Sequence, residues 1–219
     1  MKCIVCQSQD AQKFGLFDCK LYWKCKVCEA KFLDKGALST AMEEKAHYLR
    51  HDNKTTDLAY RNFLNRLKTP LCQVLSPGDV GLDYGCGNGP ALADMFRQDG
   101  FKIDLYDPFF YPNTNTLRKK YDFITCTETV EHFFNPFKEF KKIDSMLKVG
   151  GKLGLMTCFS TNEHAFGGWH YRRDPTHVVF YNRQTFEVVS SQRRWHCTFP
   201  SKDIVIISKA LEQSKLTNF

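Results

Sequence analysis

A glycine-rich turn between two apolar segments constrains the fold of this chain more than any other feature. The segment from Val80 reads VGLDYGCGNGP, with Gly85, Gly87 and Gly89 directly after a strand-like apolar run. ALADMFRQDG then places apolar residues on one helical face, and KIDLYDP reads as a second strand ending at Asp107. Strand, glycine turn, helix and strand form a βαβ unit, which predicts a parallel sheet and an α/β fold.

The chemistry of this loop argues against a dinucleotide ligand. A pyrophosphate site uses G-x-G-x-x-G and the N–H groups of the following helix. Here the spacing is G-x-G-x-G, Pro90 removes one such N–H group, and Asp83 would repel a phosphate. Asp83 suits an ammonium group instead, and Asp107 is placed to accept hydrogen bonds from two ribose hydroxyls. A ligand with an amine, a ribose and little negative charge is therefore predicted, and S-adenosylmethionine has these features.

Two further stretches extend the pattern beyond the βαβ unit. They read YDFITCTETVEHFFNP and MLKVGGKLGLMT, the second being a helix end, a double-glycine turn and a strand. With the glycine loop, they make residues 78–210 resemble the class I S-adenosylmethionine-dependent methyltransferases. The resemblance implies a doubly wound, mostly parallel, Rossmann-like sheet with S-adenosylmethionine as cofactor. The cofactor-binding residues that it implies are Asp83, Gly85, Gly87, Gly89, Asp107, Cys126, Thr127 and Glu128.

The chain departs from this family pattern after the second strand. Only 13 residues, 108–120, separate Asp107 from Tyr121, so a full helix and a third strand barely fit. The family's adenine-contacting residue therefore has no counterpart to assign, and we expect a ring from the segment 109–111 to pack near the adenine instead.

Local signals predict the elements that complete the sheet. Asn135 can cap a helix that begins at Pro136, and Gly150 with Gly151 would end it. Near the end of the sequence, WHCTF and DIVIIS read as two antiparallel strands around a short turn.

Residues 158–186 combine a loop-like composition with many rings and titratable groups. This stretch resembles the W-x-Y-x-x-D-x-x-H loop of small-molecule methyltransferases in the class I group. Methyl transfer to a hydroxyl or amine requires removal of a proton, and His177 is the first candidate for that base, with His170 the second. Arg172 or Arg173 could hold an anionic acceptor, and His132 could form the opposite wall. The alternative is a structural flap whose histidines are all hydrogen-bonded.

Ten cysteines without a recognisable signal peptide favour a metal site over disulfides, and we expect a cytoplasmic location. Cys3 and Cys6 form one C-x-x-C pair, and Cys25 and Cys28 form another after 18 intervening residues. This spacing predicts a zinc-ribbon-like module with one Zn²⁺ on four thiolates and a hairpin between the pairs. Cys19 is then a spare thiol. The alternative is four buried thiols without a metal.

The sequence divides into a zinc-ribbon-like module over 1–35, a helical connector over 36–77 and a methyltransferase domain over 78–219. Thr55, Thr56 or Asp57 could cap a connector helix that Pro70 would kink or end. Just before that helix, three polar residues either line a cofactor pocket or serve as turn and cap residues. They are Tyr48, His51 and Asn53.

No apolar run reaches the ~20 residues that span a bilayer, so no membrane association is expected.

Three functions remain open from the sequence. The first function is methyl transfer to a small-molecule acceptor. The net charge of +7, concentrated at both ends of the chain, permits a second, an RNA methyltransferase whose zinc module binds nucleic acid. However, TCTE is not the N-P-P-Y motif associated with methylation of exocyclic base nitrogens. The third is a non-catalytic, cofactor-binding scaffold protein.

Overall fold

The computed structural model describes residues 1–50, 54–160 and 162–210. The helices are Ala41–Tyr48 (α1), Leu58–Cys72 (α2), Ala91–Gln98 (α3), Pro136–Met146 (α4), His170–Arg173 (α5) and Arg183–Gln192 (α6). The strands are Ala11–Phe17 (β1), Lys20–Cys25 (β2), Lys31–Leu33 (β3), Val80–Tyr84 (β4), Lys102–Tyr106 (β5), Tyr121–Thr127 (β6), Leu147–Met156 (β7), Val179–Phe180 (β8), Trp195–Ser201 (β9) and Ile204–Lys209 (β10). In this described part, no helix is both long and apolar enough to cross a bilayer.

A six-stranded mixed sheet forms the centre of the fold, in the order β5-β4-β6-β7-β10-β9. The first four strands are parallel, and β10 and β9 run antiparallel to their neighbours. The predicted βαβ unit is β4–α3–β5, and the predicted antiparallel finish is β9 with β10. Both predictions are confirmed.

Helices cover both faces of this sheet, as a doubly wound α/β fold requires. Along β6, Phe123 packs with α2 and α3 on one face, and Ile124 packs with α4 and α6 on the other. This alternation follows from the two-residue period of a strand. Fully burying a large apolar side chain stabilises a fold by roughly 1.5–3 kcal/mol, so these two layers hold the sheet in place.

The segment between β5 and β6 holds no strand. An isolated bridge joins Asp107 to Tyr111, and a single 3₁₀ turn covers Thr116–Arg118. The expectation that a full helix and a third strand barely fit here agrees with the structure, and β5 is an edge strand of the sheet.

A second, four-stranded sheet joins the N-terminal strands to the later strand β8, in the order β1-β2-β3-β8. The predicted hairpin is β1 with β2, and its turn contains Cys19 in a left-handed conformation. The pairing of β3 with β8 was not predicted. It links the cysteine-containing segment directly to the loop that carries His177.

The helix limits refine two predictions from the sequence. Of the three candidate caps, Asp57 caps α2 through its side chain, and α2 continues two residues past Pro70 to Cys72, so Pro70 does not end the helix. Asn135 and Pro136 begin α4 as predicted, but α4 ends at Met146 rather than at the double glycine. Both glycines lie within β7, since the strand already begins at Leu147.

Helix α2 packs on the central sheet against β7 and β10, although the sequence assigns it to the connector. Its buried face consists of Leu64, Leu67 and Leu71. An added Cβ on Gly154 of β7 would lie 2.9 Å from a Leu71 methyl carbon, so the helix sits directly on the strand. The division into module, connector and domain stays a prediction.

Candidate cofactor, metal and acceptor sites

The glycine loop closes tightly over the carboxyl ends of β4 and β5. Gly85 and Gly87 have φ values of +78° and +65°, which residues other than glycine rarely adopt. A Cβ on Gly85 would lie 2.2 Å from Thr129 Cγ2. The Gly85 N–H donates to Tyr106 O at 2.8 Å, which joins the start of the loop to the end of β5. Glycine is therefore required here by backbone conformation and by close packing.

Asp107 lies against this loop at the end of β5. One carboxylate oxygen accepts from the Gly87 N–H at 3.1 Å, and the other accepts from the Phe109 and Phe110 N–H groups at 2.8 and 3.0 Å. The structure thus brings together Asp107 and the glycine loop, as predicted. Each carboxylate oxygen has two lone pairs, so Asp107 retains acceptor capacity for a ligand.

Asp83 is almost fully buried beneath the loop, where the Thr125 hydroxyl donates to it at 2.7 Å. No lysine or arginine among the described residues forms an ion pair with this carboxylate. Burial raises the pKa of Asp83 to about 6. A buried carboxylate without a cationic partner is costly to maintain, and its position suits a positively charged ligand group.

Asp83→Asn is expected to stabilise the ligand-free protein above pH 6. The native carboxyl binds its proton more tightly than the unfolded one, so its contribution to the free energy of unfolding falls between about pH 4 and pH 6 and is then constant. A pKa rise from 3.8 to about 6 corresponds to at most about 3 kcal/mol. Urea unfolding from pH 5 to 8.5 should show the advantage of the variant growing up to pH 7. Asp10→Asn, at an exposed position, controls for the loss of one charge. A variant no more stable than the parent at pH 8 would contradict this.

The end of β6 presents a buried polar atom without a partner. Thr127 Oγ1 is buried and makes no hydrogen bond within the described residues. The next residue, Glu128, has a left-handed φ of +47°, and burial together with the Glu131 carboxylate raises its pKa to about 9. Cys126 is fully buried within the core, so only its backbone is placed to meet a ligand. An unpartnered hydroxyl beside a strained residue is typical of a ligand site.

Glu131, His132 and His177 converge beyond the end of β6. One ligand-type atom of each residue lies within 4.8 Å of those of the other two, and the two imidazole rings are 4.7 Å apart. His132 Nδ1 lies 3.0 Å from Thr176 O, and His177 Nδ1 lies 2.7 Å from Tyr171 O. A carbonyl only accepts, so Nδ1 donates in both rings and Nε2 is unprotonated in the neutral form. His170 is instead exposed at the start of α5.

Tyr171 and Glu131 are site residues that the sequence interpretation missed. The Tyr171 hydroxyl contacts one oxygen of Glu131, while the Thr157 hydroxyl donates to the other at 3.0 Å. Glu128 lies 3.3 Å from the same Tyr171 oxygen. The signal that could have identified them is the cluster of polar residues in ETVEH directly after a buried parallel strand, since ligands lie beyond such strand ends.

The four cysteines of the two C-x-x-C pairs form one buried cluster. Cys3 Sγ lies 3.7 Å from Cys28 Sγ, and Cys6 Sγ lies 3.6 Å from Cys25 Sγ. Four thiolates around one ion at a distance of about 2.3 Å are separated by about 3.8 Å, which these values match. Backbone N–H groups point at the sulfurs, for example from Val27 to Cys25 at 3.4 Å. The predicted four cysteines therefore converge, and Cys19 is exposed away from them.

Comparison with known proteins identifies the family of this chain. A family model described as "Methyltransferase domain" matches residues 49–193, which is more than half of the sequence. The chain belongs to this methyltransferase family. Comparison with curated protein sequences gives no match.

Two solved structures from Burkholderia thailandensis share the fold of the methyltransferase. One is 1,6-didemethyltoxoflavin-N1-methyltransferase with bound 1,6-didemethyltoxoflavin and S-adenosylhomocysteine. It has 14% identity and a TM-score of 0.51, over 83% of this chain and 96% of that one. The other is an O-methyltransferase family protein, with 12% identity and a TM-score of 0.50, over 78% and 69% of the chains.

Arg172 of the methyltransferase has a different role from the one predicted. Its guanidinium is buried, pairs with Asp18 at 2.5 Å and donates to Gly167 O at 2.7 Å and to the Tyr22 hydroxyl at 3.4 Å. These partners occupy the group that would have bound an anionic acceptor, so Arg172 fastens the loop to the N-terminal sheet. Arg173 is exposed.

Helix α1 of the methyltransferase lies beside the cluster of Glu131, His132 and His177. The Tyr48 ring is 5.3 Å from the His132 ring and 5.8 Å from the Phe109 ring. His47 Nε2 lies 3.0 Å from the Asp174 carboxylate, which ties α1 to the loop. Tyr48 thus lies beside His132, and its predicted place in a cofactor pocket stays a prediction. His51 and Asn53 lie outside the described residues.

Proposed function

We propose that this S-adenosylmethionine-dependent methyltransferase acts on a small-molecule acceptor bound beside Glu131, His132 and His177. One observation carries the proposal: the glycine loop, Asp107 and the unpartnered Thr127 hydroxyl lie at the carboxyl ends of the parallel strands, where this polar cluster also lies. A cofactor bound to the glycine loop, Asp107 and Thr127 would direct its methyl group toward the polar cluster. The toxoflavin-precursor N1-methyltransferase, similar in fold, supports a small-molecule acceptor.

In this proposal, each predicted cofactor residue has a distinct task. Asp107 accepts from the ribose hydroxyls, Asp83 balances the positive charge of the ligand, and Thr127 gains the partner that its hydroxyl lacks. The glycine loop gives backbone access, Cys126 contributes its backbone, and Glu128 faces the sulfonium. Phe109, Phe110 and Tyr111, whose turn folds around Asp107, lie near the adenine.

His177 serves the transfer step in this proposal. Its unprotonated Nε2 can take the proton of a hydroxyl or amine as that atom attacks the methyl carbon and the carbon–sulfur bond breaks toward sulfur. His170 is the weaker of the two predicted bases because it lies exposed. Methylation of RNA remains the alternative, and the cytoplasmic location stays a prediction.

We also propose that Cys3, Cys6, Cys25 and Cys28 hold one structural zinc ion. The sulfur separations and the N–H groups directed at the thiolates support it. The module is bound to the rest of the chain by backbone contacts: Leu33 N–H donates to Val178 O at 2.8 Å. Zinc would therefore stabilise the loop over residues 158–186, here called the acceptor loop, rather than take part in transfer.

The cofactor assignment is tested by Asp107→Ala. We expect the dissociation constant for S-adenosylhomocysteine to rise about 100-fold, since hydrogen bonds to a charged group contribute roughly 1.5–3 kcal/mol and the variant also releases the loop. Isothermal titration calorimetry measures it. Asp104→Ala, on the same strand but paired with Lys119, is the matched control and should bind normally. Equal or tighter binding of NAD by the parent protein would overturn the assignment.

A further inference from the structure

We infer that Glu131, His132 and His177 bind one divalent transition-metal cation, and that this cation selects a hydroxyl as the methyl acceptor. The selection of a hydroxyl rests on the proposed methyl transfer, whereas the metal site stands on its own geometry. Two imidazoles and one carboxylate form a donor set that suits divalent iron, manganese, cobalt or zinc.

The three donors are within side-chain reach of one common cation. One ligand atom of each residue lies within 4.8 Å of those of the other two. Tetrahedral ligands, each about 2.1 Å from a cation, are about 3.4 Å apart. Side-chain shifts of up to about 1 Å would therefore complete coordination. Residues that are 45 positions apart in the chain meet here, because the loop after β7 returns over the end of β6.

Each donor is already oriented by a second group. Both histidines donate Nδ1–H to backbone carbonyls, of Thr176 and Tyr171, which directs metal binding to Nε2. The Glu131 carboxylate is held between the hydroxyls of Thr157 and Tyr171. Metal-binding histidines and carboxylates are characteristically fixed in this way, and their orienting partners matter for affinity.

The charge balance of the cluster favours a cation. Glu131 is fully buried and Glu128 lies across the Tyr171 hydroxyl from it. Among the described residues, no lysine or arginine forms an ion pair with either carboxylate. A buried anionic group is stable only when it is paired or coordinates a metal. The positive charge of the proposed cofactor is already balanced by Asp83, so a divalent cation would supply the charge that Glu131 lacks.

Three protein ligands leave coordination positions open for an acceptor. A hydroxyl bound to the cation loses its proton to solvent water more readily, because the metal stabilises the oxyanion. The oxyanion keeps a lone pair that attacks the methyl carbon, and the carbon–sulfur bond breaks with its electrons on sulfur. A neutral amine has only one lone pair, which coordination would occupy. The site therefore selects oxygen acceptors, and His177 then acts as a ligand instead of as the base.

Manganese binding tests the site without any acceptor. Mn²⁺ is added to the intact protein, with the cysteine site left as purified, and free Mn²⁺ is followed by electron paramagnetic resonance. We expect one Mn²⁺ per chain, with affinity at least about tenfold lower in Glu131→Gln and in His177→Ala. His132→Gln provides a third variant if either of these fails to fold, as judged by circular dichroism. His170→Ala, at an exposed position seven residues from His177, should bind Mn²⁺ normally.

The possible results separate this inference from the proposed function. No saturable Mn²⁺ binding, or binding that persists in Glu131→Gln and His177→Ala, would overturn the metal site and leave methyl transfer intact. Mn²⁺ binding in a protein that methylates only amines would keep the metal site and overturn the selection of a hydroxyl. Transfer to a hydroxyl that EDTA abolishes and Mn²⁺ restores would support both parts.

Discussion

His177→Ala is expected to keep the affinity for S-adenosylhomocysteine and to lose methyl transfer by about 10²–10⁴-fold, the usual effect of removing a general base. The residue lies in the polar cluster beyond β6 and is not among the proposed cofactor contacts, which are at the ends of β4, β5 and β6. Transfer is measured with radiolabelled S-adenosylmethionine, using the best acceptor from a panel of phenols, aliphatic alcohols and heterocyclic amines. A cation held by His177 would give the same loss, and metal dependence separates the two roles.

The matched control is His170→Ala. Both histidines belong to the same loop and were both predicted as bases, but His170 is exposed and His177 is 9% exposed inside the cluster. We expect His170→Ala to retain transfer within about twofold, as surface substitutions usually change little. Equal losses in the two variants would mean that the cluster is not where the acceptor reacts. Normal turnover by His177→Ala, together with loss of activity on RNA when the cysteine module is removed, would contradict both the residue and the acceptor class.

The parts of the fold that follow from local patterns could be predicted from sequence. The β4–α3–β5 unit depends on an apolar strand, a glycine turn and a helical face, all within 30 residues. The start of α4 depends on adjacent Asn135 and Pro136, and the final hairpin depends on two apolar runs around a turn. Each of these signals acts between neighbours in the chain, so periodicity and capping chemistry suffice.

Long-range pairings could not be predicted in the same way. Strand β8 contains two residues and β3 contains three, too few to show a period, yet they pair across more than 140 positions. Arg172 illustrates the same limit. In sequence, an arginine in a polar loop resembles an anion-binding group. Its actual partners are two backbone carbonyls, a tyrosine hydroxyl and an aspartate from the far end of the chain, which only tertiary structure brings together.

The pairing of β3 with β8 connects the cysteine module to the loop that carries His177. Lys31 of β3 is buried and lies 3.3 Å from both the Glu163 carboxylate and the Ser160 hydroxyl, which belong to the acceptor loop. The Thr185 hydroxyl of α6 donates to Cys28 O at 2.8 Å, so α6 also contacts the second cysteine pair. Loss of order at the cysteines should therefore also loosen the segment that positions His177.

Cys25→Ser is expected to lose one equivalent of zinc per chain and to lower the melting temperature by 10 °C or more. Structural zinc contributes apparent binding free energies of about 10–16 kcal/mol in small zinc-binding peptides, and about 30 residues bury little core of their own. Elemental analysis measures the metal, and scanning calorimetry measures the unfolding. Hydrogen exchange should also become faster at residues 178–180, because β8 loses its ordered partner β3.

Cys19→Ser separates loss of the metal from loss of a thiol. Cys19 lies exposed in the turn between β1 and β2, outside the four-sulfur cluster, so its replacement should retain zinc, melting temperature and exchange rates. If Cys25→Ser is too unstable to purify, chelation of the parent protein with a strong zinc ligand provides the same comparison. The zinc site would be contradicted if freshly prepared, reduced protein contained no metal and its four module thiols titrated freely. Zinc loss that leaves residues 178–180 protected would instead contradict the proposed support of the acceptor loop by the module.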